Sequence, residues 1–224
     1  MKVIKEFLFG NNQLKQNLQR AADNKAWAEL QTQRLKDARK FRDHKRMTTA
    51  PVKFGLVKFI KQMFDNKNVQ PNQVELITIK RNLQKADPNV LDAVDKVAKS
   101  KGWPKEFLLG HLYAEAGGDG LMNKRVRSKV GAQGPMQIMP NTAKHFKIKN
   151  PDDPYESVAG AAEILDTYTK MFQGDLKDGL QAYNQGPTAL RQVKAGQRQM
   201  PSETQHYADK VAKYALAFKK IFKG

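Results

Sequence analysis

From Asp87 to the end, this chain is written almost entirely in amphipathic segments of helix length, separated by proline, glycine and asparagine. Asp87-Pro88 opens the first, with an acceptor at the cap and proline at the first helical position, where its missing N–H costs nothing. Val90, Leu91, Val94 and Val97 then give it an apolar stripe. A second helix is expected from Pro104 to about Ala116, ended by Gly117-Gly118. Further helices are expected over residues 153–173, 176–185, 187–195 and 202–222. No run alternates convincingly as a strand, apart from a short pairing near Val126–Gly134. The pattern predicts a compact, mainly α domain over residues 87–224.

Residues 1–86 differ. They hold 19 Lys/Arg and 7 Asp/Glu, a net of +12 out of the chain's +18, leaving +6 for residues 87–224. Residues 11–46 read as a long polar helix, and residues 52–65 as a short amphipathic one with Leu56, Ile60, Met63 and Phe64 on one face. Residues 66–72 read as a linker, and residues 73–86 as either a strand or a helix. The segment is expected to be a basic, mostly helical extension. Its charge suits an acidic partner: DNA, an anionic membrane, an acidic protein or a wall polymer with free carboxylates. A solvated extension packed on its own domain is the plainer alternative.

The sequence contains no cysteine, which excludes disulfides, thiolate nucleophiles and thiolate metal sites. His44, His111, His145 and His206 lack ligand spacing, so neither a metal nor another cofactor is expected. The opening residues carry no signal-peptide core, and no apolar run reaches membrane-spanning length.

The strongest chemical candidate is Glu115. Leu108 and Leu112 lie seven and three residues before it, so it shares the apolar face of its helix. Partial burial and the negative end of the helix dipole both disfavour its charged form. A carboxylic acid kept protonated near neutral pH is the proton donor that glycosidic-bond cleavage requires. His111, one turn earlier, would oppose this if charged. A structural Glu paired with a neighbouring base is an equally good reading of this helix alone.

Two downstream runs change the balance. Residues 128–142 read Ser-Lys-Val-Gly-Ala-Gln-Gly-Pro-Met-Gln-Ile-Met-Pro-Asn-Thr, and residues 182–187 read Ala-Tyr-Asn-Gln-Gly-Pro. The first supplies turn glycines beside an apolar thioether and an amide, a mixture suited to a sugar ring. The second puts an aromatic and an amide at a helix end. Together with Glu115, in this order and spacing, they resemble the catalytic domain of the soluble lytic transglycosylases, over roughly residues 88–215.

That resemblance implies a lysozyme-like, goose-type helical fold. It implies Glu115 as the sole acid/base, with Ser128, Met136 and Gln137 lining a glycan groove. Tyr183 and Asn184 would lie near the catalytic carboxyl, Gly131, Ala132 and Gly134 would shape the turn, and Glu203 with Tyr207 would match a later Glu-Thr-x-x-Tyr element. Ala116, Pro135 and Ser157 depart from the family's usual Ser, Leu and Asn. The expected substrate is peptidoglycan, cut between N-acetylmuramic acid and N-acetylglucosamine with a 1,6-anhydro product. A hydrolytic lysozyme is the near alternative. It would need a second carboxylate about 5–9.5 Å away, and Asp119 reads as a solvated residue in a glycine-rich turn.

Domains of this family are carried in phage particles to open the wall locally during genome delivery. That setting would make the portal, tail or other ejection proteins partners of residues 1–86. A bacterial enzyme exported by a dedicated secretion machine is the alternative setting, and a structural or DNA-contacting virion component with a vestigial glycosidase domain is the alternative function.

Overall fold

The computed structural model describes residues 69–223, together with Phe59 and Gln62. The expected helix over 11–46, and the amphipathic stretch over 52–65 apart from those two residues, lie outside the described residues.

Within the described residues 69–223, eight α-helices follow in order: α1 (Gln73–Gln84), α2 (Pro88–Lys101), α3 (Lys105–Leu121), α4 (Pro140–His145), α5 (Pro154–Met171), α6 (Leu176–Gln185), α7 (Pro187–Lys194) and α8 (Ser202–Lys223). Their starts are chemically explicit. Asp87, Asp153 and Asp175 accept hydrogen bonds from first-turn N–H groups, satisfying donors that a helix cannot satisfy internally. Proline stands in the first turn of α2, α4, α5 and α7. Among the described residues there is no strand, only two isolated antiparallel bridges, Arg127 with Gln133 and Gln133 with Ile138.

α3 is the central element. Phe107, Leu108, Leu109 and Leu112 are almost fully buried, facing Val211, Ala212, Ala215 and Phe218 of α8, which are buried as deeply. Each large apolar side chain so buried contributes about 1.5–3 kcal/mol. The approach of α3 and α8 is set by Gly110. A Cβ there would lie 2.4 Å from the Ala215 backbone nitrogen. α5 and α6 complete the core through Ile164, Leu165 and Leu180, with Val90, Val94 and Val97 of α2.

One expectation is corrected, and one left open is settled. α3 does not end at Ala116: it breaks at Gly117 (φ 56°, ψ −144°) and resumes to Leu121, where the Met122 N–H closes the turn on Gly118. Glycine alone adopts that geometry without strain, so it kinks the chain without stopping it. The ambiguous residues 73–86 form helix α1. It starts with a reciprocal capping box between Asn72 and Glu75. It belongs to the packed body, since Ile79 is 1% exposed and Glu75 pairs with Lys213 of α8 at 2.5 Å.

Candidate active site

Glu115 sits on the last turn before the Gly117 break. The residue keeps some accessible surface, but its carboxyl is enclosed. Burial raises its pKa to about 7, against the opposing hydrogen bond from the Tyr207 hydroxyl and the attraction of Lys210, while Glu203 adds to the rise. The helix-dipole contribution expected from the sequence is displaced, because α3 continues past the break and the effect fades within a turn. Removal from water is the leading cause.

His111 lies one turn earlier and does not oppose this shift. It is completely buried, and burial pushes its pKa down to about 3, so the ring is neutral. It packs edge-on against Tyr183, with centroids 4.5 Å apart, and is 6.3 Å from the Tyr207 ring. Neither ring nitrogen has a hydrogen-bond partner. Among the described residues, Ser157 Oγ, Thr169 Oγ1 and the Gln185 amide share that condition.

The structure gathers several of the sequence-predicted residues here. Tyr207 donates to Glu115 Oε1. The Tyr183 hydroxyl donates to the Met136 carbonyl at 2.8 Å. Burial holds both phenols far above their ordinary range, and the Glu115 charge adds to it. Asn184 Oδ1 accepts from Thr204 at 2.6 Å, tying α6 to α8. Glu203, in the first turn of α8, is exposed.

The segment containing residues 126–138 forms a folded lip. Ser128 Oγ accepts from the Ala132 N–H at 2.9 Å, and the Gln137 amide donates to the Gly134 carbonyl at 2.8 Å. Both side chains are therefore used inside the lip. Gly131 and Gly134 have φ of 89° and 70°, and a Cβ on Gly134 would meet the Pro151 carbonyl oxygen at 1.8 Å. Ala132 is buried at 7% exposure. Met136 is fully buried, so its side chain packs into the core and its carbonyl is the part turned to Tyr183.

Sequence reasoning missed three contacts around this constellation. Arg127 pairs through both terminal nitrogens with Asp152, fastening the lip to the loop before α5. Lys210 acts on Glu115 from α8, and its place one turn after Tyr207 was a usable signal. Asn82 reaches α3 from α1. Asp119, the nearest other acid in sequence, is bound to Lys124 at 2.8 Å and exposed. Among the described residues, no group of three His, Asp or Glu could hold a metal, and no helix is long and apolar enough to cross a membrane.

Among the described residues, a mainly helical body thus encloses a protonatable carboxyl, Glu115, that accepts from a tyrosine hydroxyl. The chain belongs to the Transglycosylase SLT domain family, whose model matches residues 94–206, half of its length. It is 35% identical over 91 residues to a protein of Enterobacteria phage PRD1 described as "Transglycosylase". The matched stretch is 41% of this chain and 31% of that protein, so the chain spans about a third of the length of the curated relative it matches.

Solved structures that match part of this chain include an inactive mutant of the lytic transglycosylase Slt from Pseudomonas aeruginosa. It is 24% identical, with a TM-score of 0.48, covering 59% of this chain and 24% of that one. The 70-kDa soluble lytic transglycosylase from Escherichia coli is 25% identical, with a TM-score of 0.47, covering 58% and 24%.

Proposed function

We propose that this chain cleaves peptidoglycan glycan strands between N-acetylmuramic acid and N-acetylglucosamine as a lytic transglycosylase, with Glu115 as acid and then base. The observation that carries the reading is the state of Glu115. It is enclosed, raised to about 7, and held by Tyr207.

A carboxyl with that pKa is protonated in a large fraction of molecules at neutral pH and donates to the glycosidic oxygen as the bond breaks. The substrate's own N-acetyl group stabilises the oxocarbenium-like centre. The resulting Glu115 carboxylate is stabilised by the Tyr207 hydroxyl and takes the proton of the muramyl 6-hydroxyl. That oxygen closes onto the anomeric carbon, giving a 1,6-anhydro end without consuming water. In this reading Tyr183 and Asn184 lie beside the bound muramyl residue, and the lip carrying Ser128 and Gln137 lines the glycan groove. Neutral His111 keeps a second positive charge away from the acid.

Family membership and the phage relative support this reading, and Asp119, the nearest other acid in sequence, is an exposed residue paired with Lys124. A hydrolytic route has one observation in its favour. Glu203 is close enough to raise the Glu115 pKa, and a second carboxylate is what a hydrolase uses.

Mass spectrometry of digested peptidoglycan separates the two. Anhydromuropeptides from the parent, absent with Glu115→Gln, support the transglycosylase. Reducing ends lost in the same variant make it a muramidase. No products from either, on a substrate that a known muramidase digests, would leave a structural role.

The same reading places the protein in a phage particle, acting locally on the wall during genome delivery. Residues 1–86 then contact portal, tail or ejection proteins, or DNA or an anionic membrane. The basic charge of that segment and the phage relative support this setting. DNA contact would weaken steeply with rising salt. We place the functional boundary of the catalytic body before α1, near residue 70, because α1 is packed into it.

A further inference from the structure

α1 lies outside residues 94–206, the part of the chain that the family model matches, yet it touches both helices of the catalytic pair. On α8, Lys213 Nζ is 2.5 Å from Glu75 Oε1. Between the two, Ile79 is buried. On α3, Asn82 Nδ2 donates to the Tyr113 hydroxyl at 2.8 Å. The same amide lies against Gly118, where an added Cβ would come within 2.5 Å of it. Tyr113 in turn packs edge-on against Tyr214 of α8, with centroids 4.9 Å apart.

Asn82 therefore grips α3 on both sides of Glu115, two residues before it and three after. The grip falls where the helical backbone is interrupted at Gly117. At such a break, lateral contacts must set the geometry that an uninterrupted helix would set for itself.

We propose that α1 is a strut for the catalytic pair and that Asn82 is a positioning residue for Glu115. α1 is thereby mechanically connected to the acid. The inference rests on the reading of Glu115 as the acid/base. It adds that a contact from outside the family-matched region keeps the carboxyl enclosed and aligned with Tyr207. Loosening the grip lets the Gly117 break relax and water approach the carboxyl, which lowers its pKa and misaligns it for proton donation. The ionisable groups around Glu115 are His111 on α3, Tyr183 on α6, and Glu203, Tyr207 and Lys210 on α8. None is altered by a change at Asn82.

The test uses the full chain with Asn82→Ala, Tyr113→Phe and the double variant. Tyr113→Phe removes the same hydrogen bond from the other side and keeps the ring, so the test survives if Asn82→Ala fails to fold. The Glu115 carboxyl is titrated by carbon-13 NMR, and kcat and KM are measured on solubilised glycan strands.

Each single variant should lower the Glu115 midpoint by about half a unit or more. Each should reduce kcat about tenfold, with KM within about twofold. The double variant should be no worse than the worse single one, since one contact links them. A midpoint and kcat equal to the parent's in folded variants would overturn the proposal. So would a loss of kcat that merely follows the folded fraction while the midpoint stays in place. If the parent cleaves nothing, the activity reading fails, and the titration still decides whether Asn82 controls the carboxyl.

Discussion

Glu115→Gln should stabilise this protein, and by an amount that depends on pH. The folded-state pKa is about 7, against about 4.3 for an unfolded Glu. Because the folded value is raised, the fold favours the protonated form. Below about pH 4 the carboxyl is neutral in both states and costs nothing. As pH rises from there through 7, the unfolded chain ionises freely while the folded one resists, and stability is lost.

The loss levels off above pH 7, at the difference of about 2.7 units. At 1.36 kcal/mol per unit this is about 3–4 kcal/mol. Gln has nearly the same shape, can accept from Tyr207, and carries no charge, so the variant avoids the loss. Thermal or urea unfolding of parent and variant between pH 4 and 8.5 measures it. The two curves should meet near pH 4 and diverge by about 3 kcal/mol above pH 7.5. For a body of this size that is about 6–12 °C in Tm. A difference that does not change with pH, or a variant less stable than the parent at pH 8, would refute the burial argument for the raised pKa.

Two further outcomes follow from the same geometry. Tyr207→Phe removes the hydroxyl that stabilises the charged carboxylate. The alkaline limb of the kcat/KM profile should move up by about 1–2 units, since a hydrogen bond to a charged group is worth about 1.5–3 kcal/mol, even as the maximum rate falls. A limb that stays at pH 7 or moves down would contradict the hydrogen bond's role. Gly110→Ala should destabilise by about 1–3 kcal/mol or more, because the new methyl meets the Ala215 backbone, which cannot yield as a side chain would. A Tm unchanged within 1–2 °C, a shift of about half a kcal/mol or less, would show that α3 and α8 separate easily.

Much of this architecture is local and was readable in one dimension. Helix starts are decided by a side-chain acceptor and by proline within a few residues, so Asp87-Pro88, Asp153-Pro154 and Asp175 mark α2, α5 and α6 where they are found. The same holds for the turn glycines at positions 131 and 134, whose positive φ is a property of the residue type. Glu115 was legible as a candidate because a carboxylate on an apolar helix face has few other places to be.

Tertiary packing decided the rest. Tyr207 is 92 residues from Glu115, and only the close crossing of α3 and α8 at Gly110 brings its hydroxyl to that carboxyl. His111 is neutral because core burial outweighs its ordinary basicity, a matter of depth that spacing does not reveal. Met136 looked like a ligand surface and is core, since the fold of the lip turns its side chain inward. Gly117-Gly118 looked like a helix end, but only the first glycine leaves helical geometry, the second lies against the Asn82 amide of α1, and the helix resumes. Capping and turn preferences act over three or four residues, and composition exposes them. Burial and alignment of the Glu115 carboxyl depend on chain segments far apart in sequence, so they exist only once the helices have packed.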